Sequence, residues 1–117
     1  MKKDVRVYLE DIAASIDLIL EYTTGIGQAE FFRATKLQDA VSRRLEIIGE
    51  AAKTIPLGFK EKHPKIPWKE MAGIRDVLIH EYSGVSWQRV WNTIKNDLPL
   101  LSNQVKYLLN EFRNETK

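Results

Sequence analysis

The chain has 117 residues, no cysteine, and 18 basic against 16 acidic side chains, for a net charge of +2. That length suits a single domain spanning residues 1–117, able to bury roughly 65% of its unfolded surface without disulfides or a metal staple. The missing cysteines exclude a thiol nucleophile and thiolate zinc sites and fit a reducing compartment. No apolar run approaches the ~20 residues that span a bilayer, and Met1-Lys-Lys-Asp4 leads into an amphipathic segment rather than a signal sequence. A cytoplasmic protein with no membrane partner is expected.

The charge is unevenly spread. Residues 1–32 carry a net −3, residues 33–89 a net +4 and residues 90–117 a net +1. A total of +2 does not by itself announce a nucleic-acid binder, and solvated helix surfaces account for single lysines equally well.

In chain order, Asp4 is placed to cap a first helix in which Val5, Leu9, Ile12, Ile16 and Ile19 repeat at helical spacing until Gly25. The seam is narrow and reads as intramolecular core. Phe31 and Phe32 are expected to plug one end of a bundle. Thr35 and Gln38 have capping-box spacing, and the helix after them buries Leu37, Val41, Leu45, Ile48, Ala52 and Ile55 before Pro56 stops it. Between Pro56 and Pro67 lies a connection with room for one helical turn, containing His63 before a proline. A packing or capping role suits His63 better than a catalytic one. Two histidines 17 apart, without cysteine or a His-x3-His pattern, make no metal-ligand set.

Pro67 then opens Trp68-Lys-Glu-Met-Ala-Gly-Ile-Arg-Asp-Val-Leu-Ile-His-Glu-Tyr82, which reads as one helix running to about Tyr82, where Ser83-Gly84 stops it. At ~100° per residue, Met71, Ile74, Val77, Leu78 and Tyr82 share a core-facing stripe, while Asp76, His80 and, further round, Arg75 lie off it. Asp76 and His80, four apart, place a carboxylate beside an imidazole and favour its protonated form. Arg75 and His80 are about 140° apart on such a helix. Either the helix frays at His80 or a second copy completes the site. Ile79 falls between them, off the core stripe, where it would pack near the axis of a homodimer.

Ser86 is placed to cap the last long helix, with Val85 and Val90 in staple position and Trp91, Ile94, Leu98, Leu101, Val105, Leu108, Leu109 and Phe112 continuing the apolar stripe. Pro99 must kink or restart it near Asn96-Asp97, and the tail after Phe112 is expected to fray. Three long helices and the motif helix imply an all-α, antiparallel four-helix bundle with a short extra turn.

Arg75-Asp76-Val77-Leu78-Ile79-His80-Glu81-Tyr82 resembles the Arg-x4-His-x-Tyr signature of HepT-like toxins, within the HEPN superfamily. Arg43-Arg44-Leu45-Glu46-Ile47-Ile48-Gly49-Glu50-Ala51-Ala52-Lys53, His63-Pro64-Lys65-Ile66-Pro67-Trp68, Gly73-Ile74, Gly84-Val85, Val90-Trp91 and Asn96-Asp97-Leu98-Pro99 are similar to that family in order and spacing. The signature alone is weak, and the ordered set is specific. Asp76 stands where many superfamily members carry Asn.

The resemblance implies a metal-independent endoribonuclease toxin without a cofactor, with RNA as substrate and Arg75 and His80 as the catalytic pair. Attack of a ribose 2′-hydroxyl on the adjacent phosphate needs a base, an acid and a cation over the phosphorane charge. His80 suits the acid–base part, Asp76 would support it, and Arg75 supplies a permanent bidentate cation. The resemblance further implies a nucleotidyltransferase-type antitoxin that attaches AMP to Tyr82, where the added phosphate would compete with RNA for Arg75. The alternative is a non-catalytic helical module that binds a nucleotide or a transferase partner.

Overall fold

A computed structural model describes residues 4–78 and 84–115. α1 spans Val5–Tyr22. The Asp4 carboxylate accepts the Arg6 N–H at 2.8 Å, satisfying one of the free donors at the helix start. Thr23 closes the other end, its N–H and its hydroxyl both donating to the Ile19 carbonyl, at 3.1 and 2.9 Å. Two residues later Gly25 takes φ +73°, a backbone that glycine adopts without steric cost, and the chain reverses.

A single turn, α2 (Gln28–Phe31), leads into α3 (Thr35–Thr54). The capping box expected at Thr35 and Gln38 does not form. Ala34 is the cap, Thr35 is already helical, and buried Gln38 reaches back past the helix start to donate its amide N–H to the Phe31 carbonyl at 3.0 Å. That bond fastens the α2 turn to α3. The two phenylalanines also divide: Phe31 is wholly buried against Trp87 and Trp91, whereas Phe32 is exposed.

α4 (Leu57–Lys62) is the turn anticipated after Pro56, and α5 (Trp68–Ala72) follows Pro67. Half-buried His63 caps α4 with its ring 4.6 Å from that of Phe59, and its carbonyl accepts the Trp68 indole N–H at 2.9 Å. This is the packing and capping role its position before a proline suggested.

The last rod runs from α6 (Trp87–Asn92) through a π-helical turn (Thr93–Asp97) into α7 (Leu98–Glu115). Ser86 caps it by accepting the Arg89 N–H at 3.4 Å. The wide turn answers Pro99, which has no N–H and whose ring would press on the carbonyl of Lys95 in a regular helix. Just before it the Leu98 N–H reaches back five residues to the Thr93 carbonyl, so the helix widens instead of breaking. The helix continues past Phe112 to Glu115, further than the sequence suggested.

The start of α1 lies beside the end of α3 and the end of α7, lining shared depressions with Glu50 and Thr54 on one side and Leu109 and Arg113 on the other, so α1 is antiparallel to both. With the short motif segment against α3 these make the all-α four-helix bundle. Leu9, Ile12, Ile16 and Ile19 meet Val41, Leu45 and Ile48 from α3 and Ile94, Leu98 and Val105 from the last rod, all wholly buried. Each such side chain removed from water contributes about 1.5–3 kcal/mol. The Asp17–Lys106 ion pair at 2.9 Å is half-exposed and adds less than about 1 kcal/mol. No described helix is long and apolar enough to cross a membrane.

Candidate functional site: the motif segment and its groove

The motif segment departs from the continuous helix that its periodicity suggests. α5 ends at Ala72, Gly73 makes the turn, and Ile74–Leu78 form a 3₁₀ helix. Such a helix advances about 120° per residue rather than 100°, so angular placements based on α geometry lose their footing over these residues. The expected 140° between Arg75 and His80, the i, i+4 pairing of Asp76 with His80 and the intermediate place of Ile79 all assumed the α-helix. Ile79, His80 and Tyr82 lie outside the described residues.

Packing explains the early end of α5. A β-carbon on Gly49 of α3 would sit 3.1 Å from the Ala72 carbonyl oxygen and 3.7 Å from Ile74 Cγ2. The two backbones therefore approach more closely than side chains ordinarily permit. Met71 and Ile74 are buried on either side of this contact, and Val77 and Leu78 pack half-buried against the same core. The Asp76 N–H donates to the Gly73 carbonyl at 2.8 Å and tightens the turn. Trp68, tied to the His63 carbonyl, anchors the segment's start.

With Ile74 inward, Arg75 and Asp76 are exposed as neighbours and point to different surroundings. Asp76 folds over Gly73, where a β-carbon would meet its Oδ2 at 3.3 Å, and lines a groove of about 530 Å³ between the motif segment and the last rod. Lys69, Arg89, Asn96, Asp97 and Gln104 share that groove. Arg75 does not line it, and no described residue accepts a hydrogen bond from its guanidinium or forms an ion pair with it. The groove mixes both signs of charge, whereas Arg75 is a cation with its donors uncommitted among the described residues.

Asn96 and Asp97 carry no site role on sequence grounds, although both belong to the Asn96-Asp97-Leu98-Pro99 stretch noted above. The signal was Pro99. By widening the helix just ahead of itself, it brings Thr93, Asn96 and Asp97 into the wall opposite Asp76. Among the described residues no group of three His, Asp or Glu side chains is arranged to hold a metal ion.

The fold and this segment define a small all-helical domain with an arginine-bearing motif held between its second long helix and its last. The chain belongs to the Ribonuclease HepT-like family, whose profile matches residues 12–108. It is 51% identical over 108 residues to a Thermococcus cleftensis protein named "Probable ribonuclease HepT", covering 92% of this chain and 98% of that one. It is 48% identical over 107 residues to a protein of Caldanaerobacter subterraneus subsp. tengcongensis named "Putative RNase", covering 92% and 96%. A Methanocaldococcus jannaschii protein named "Gamma-glutamylcyclotransferase and putative RNase" is 48% identical over 111 residues; the match covers 95% of this chain and 50% of that relative, so the chain spans half its length. No solved structure matches the chain.

The close approach at Gly49 makes a direct prediction. Gly49→Val must push α5 off α3, and overpacking of this kind costs about 1–3 kcal/mol, read as a lower urea midpoint with an unchanged slope. Gly49→Ala should cost less, because a helix-propensity gain of about 1 kcal/mol opposes a smaller clash. Equal stability of Gly49→Val and wild type would show that the contact does not constrain the segment.

Proposed function

We propose that the chain is an endoribonuclease that cleaves RNA by attack of a ribose 2′-hydroxyl on the adjacent phosphate, without a metal ion. The observation that carries this reading is Arg75: an exposed guanidinium on a short turn whose buried neighbour Ile74 is clamped to the core, with no described residue competing for its donors. Such a fork grips a phosphate bidentately and stabilises the charge of a phosphorane. His80, five residues on, supplies the proton-transfer group, and its unperturbed pKa of about 6.5 lets it act as base or acid near neutrality. Asp76 supports the site from the groove. The ribonuclease names carried by relatives close in both length and sequence favour this chemistry over a non-catalytic binding module.

Two further elements belong to the same proposal. A nucleotidyltransferase-type antitoxin silences the chain by transferring AMP to Tyr82, with pyrophosphate leaving if ATP is the donor; the new phosphodiester places a negative charge two residues from His80 and seven from Arg75. The active unit is a homodimer. Arg75 lies outside the groove that its own Asp76 lines, so a second copy can bring its own groups to that face and complete the site.

Arg75→Ala and His80→Ala should each lower cleavage on the order of 10²-fold or more. Wild-type activity should persist in EDTA and leave 2′,3′-cyclic phosphate ends. Wild-type rates in both variants, or a requirement for added Mg²⁺, would contradict the assigned roles. After co-expression with the transferase partner, mass spectrometry should find one AMP on the peptide containing Tyr82. An adduct elsewhere would reject that acceptor. Sedimentation should show a dimer under the conditions of cleavage, whereas a fully active monomer would establish that one chain suffices.

A further inference from the structure

A second depression, of about 510 Å³, opens between the loop joining α4 to α5 and the outer face of α7. Buried Ile66 and Leu108 and exposed Pro64 supply its apolar lining. Its rim carries Lys62 and Lys65, and among the described residues no acidic side chain lines it. Tyr107 stands beside it at 65% exposure, an aromatic ring left largely in water. The volume falls within the ~300–1,000 Å³ of ordinary small-molecule sites.

Three features decide the occupant. The first is charge: the groove lined by Asp76 mixes Lys69 and Arg89 with Glu70, Asp76 and Asp97, whereas among the described residues the lysines of this hollow, Lys62 and Lys65, face no acidic partner in its lining, which suits a polyanion better. The second is the pairing of an exposed aromatic with flanking lysines beside an apolar lining, the combination that holds single-stranded nucleic acid by stacking a base and neutralising its phosphates. The third is Gln104, the residue that lines both depressions and so joins them. Its Oε1 is buried without a hydrogen-bond donor among the described residues.

We infer that this hollow holds a nucleotide of the single-stranded RNA substrate, with its base stacked on Tyr107 and its phosphates on Lys62 and Lys65, while the motif segment engages the strand further along. The inference rests on the ribonuclease reading for the identity of the ligand. It adds a binding subsite that neither Arg75 nor His80 supplies.

The test measures binding apart from cleavage. A fluorescent single-stranded oligonucleotide with 2′-fluoro sugars lacks the nucleophile, so its affinity for the full chain can be read by anisotropy at about 50 mM and 200 mM salt. Tyr107→Ala should weaken binding roughly 5- to 100-fold, the range expected for one lost base stack, and Tyr107→Phe should bind nearly as wild type. Lys62→Ala with Lys65→Ala should lower the salt slope by about 1 to 2. Tyr107 is exposed on a helix, so its alanine variant is expected to stay folded, which far-UV circular dichroism checks.

Wild-type affinity in Tyr107→Ala would overturn the subsite, as would failure of the wild type to bind the probe at low salt. Loss of a protein partner on Tyr107→Ala with unchanged RNA affinity would assign the hollow to that partner instead. Conversion of a dimer to monomer by the same change, again with RNA affinity unchanged, would assign it to a second copy. If Tyr107→Ala binds normally while Arg75→Ala abolishes cleavage, only the subsite falls. If the probe binds through Tyr107 but the wild type does not cleave RNA, only the activity falls.

Discussion

The Ala72 carbonyl passes so close to Gly49 that a β-carbon there would lie 3.1 Å from it, and the placement of the motif follows from this contact. A carbonyl pressed against another helix at that range holds the end of α5 in place. Met71 and Ile74 then fill the core on either side, and the residues after Gly73 wind as a tighter 3₁₀ helix. Neighbouring residues on that turn diverge by about 120°, so Arg75 and Asp76 serve different sides of the segment although they are adjacent in sequence. Held this way, the backbone beneath Arg75 is already ordered, so gripping a phosphate costs only the freedom of the side chain itself.

The other wall of the groove depends on a second backbone constraint. A proline inside a long helix costs about 3 kcal/mol when it breaks the regular ladder. Here the chain accommodates Pro99 with a π turn, and Leu98 still finds the Thr93 carbonyl. The same turn puts Asn96 and Asp97 opposite Asp76. One glycine and one proline, on helices far apart in sequence, thus shape the two sides of one cleft.

Much of this was legible from periodicity. The stripes Leu9-Ile12-Ile16-Ile19 and Val41-Leu45-Ile48 mark wholly buried faces, and Asp4 and Ser86 cap where their positions suggest, because both signals are local. The motif segment was misjudged in form because its apolar spacing fits a 3.6-residue helix, and nothing local reveals that Gly49 will receive Ala72. The same limit applies at Gln38, whose amide serves the Phe31 carbonyl seven residues back instead of its own helix start. Non-local packing overrides local pattern in both places. Asn96 and Asp97 escaped notice as site residues because their contribution depends on the widened turn, and a proline announces a distortion without specifying its direction.

The central claim is that this chain breaks RNA with the strand's own 2′-hydroxyl as nucleophile, Arg75 holding the phosphate. It is tested most directly with an RNA oligonucleotide carrying one 2′-deoxyribose immediately 5′ of a mapped cleavage site. The account predicts that cleavage at that phosphate disappears while other sites in the same strand are cut as before. Cleavage at the deoxy position at the rate of the unmodified RNA would contradict it, since the attacking oxygen would then have to come from water.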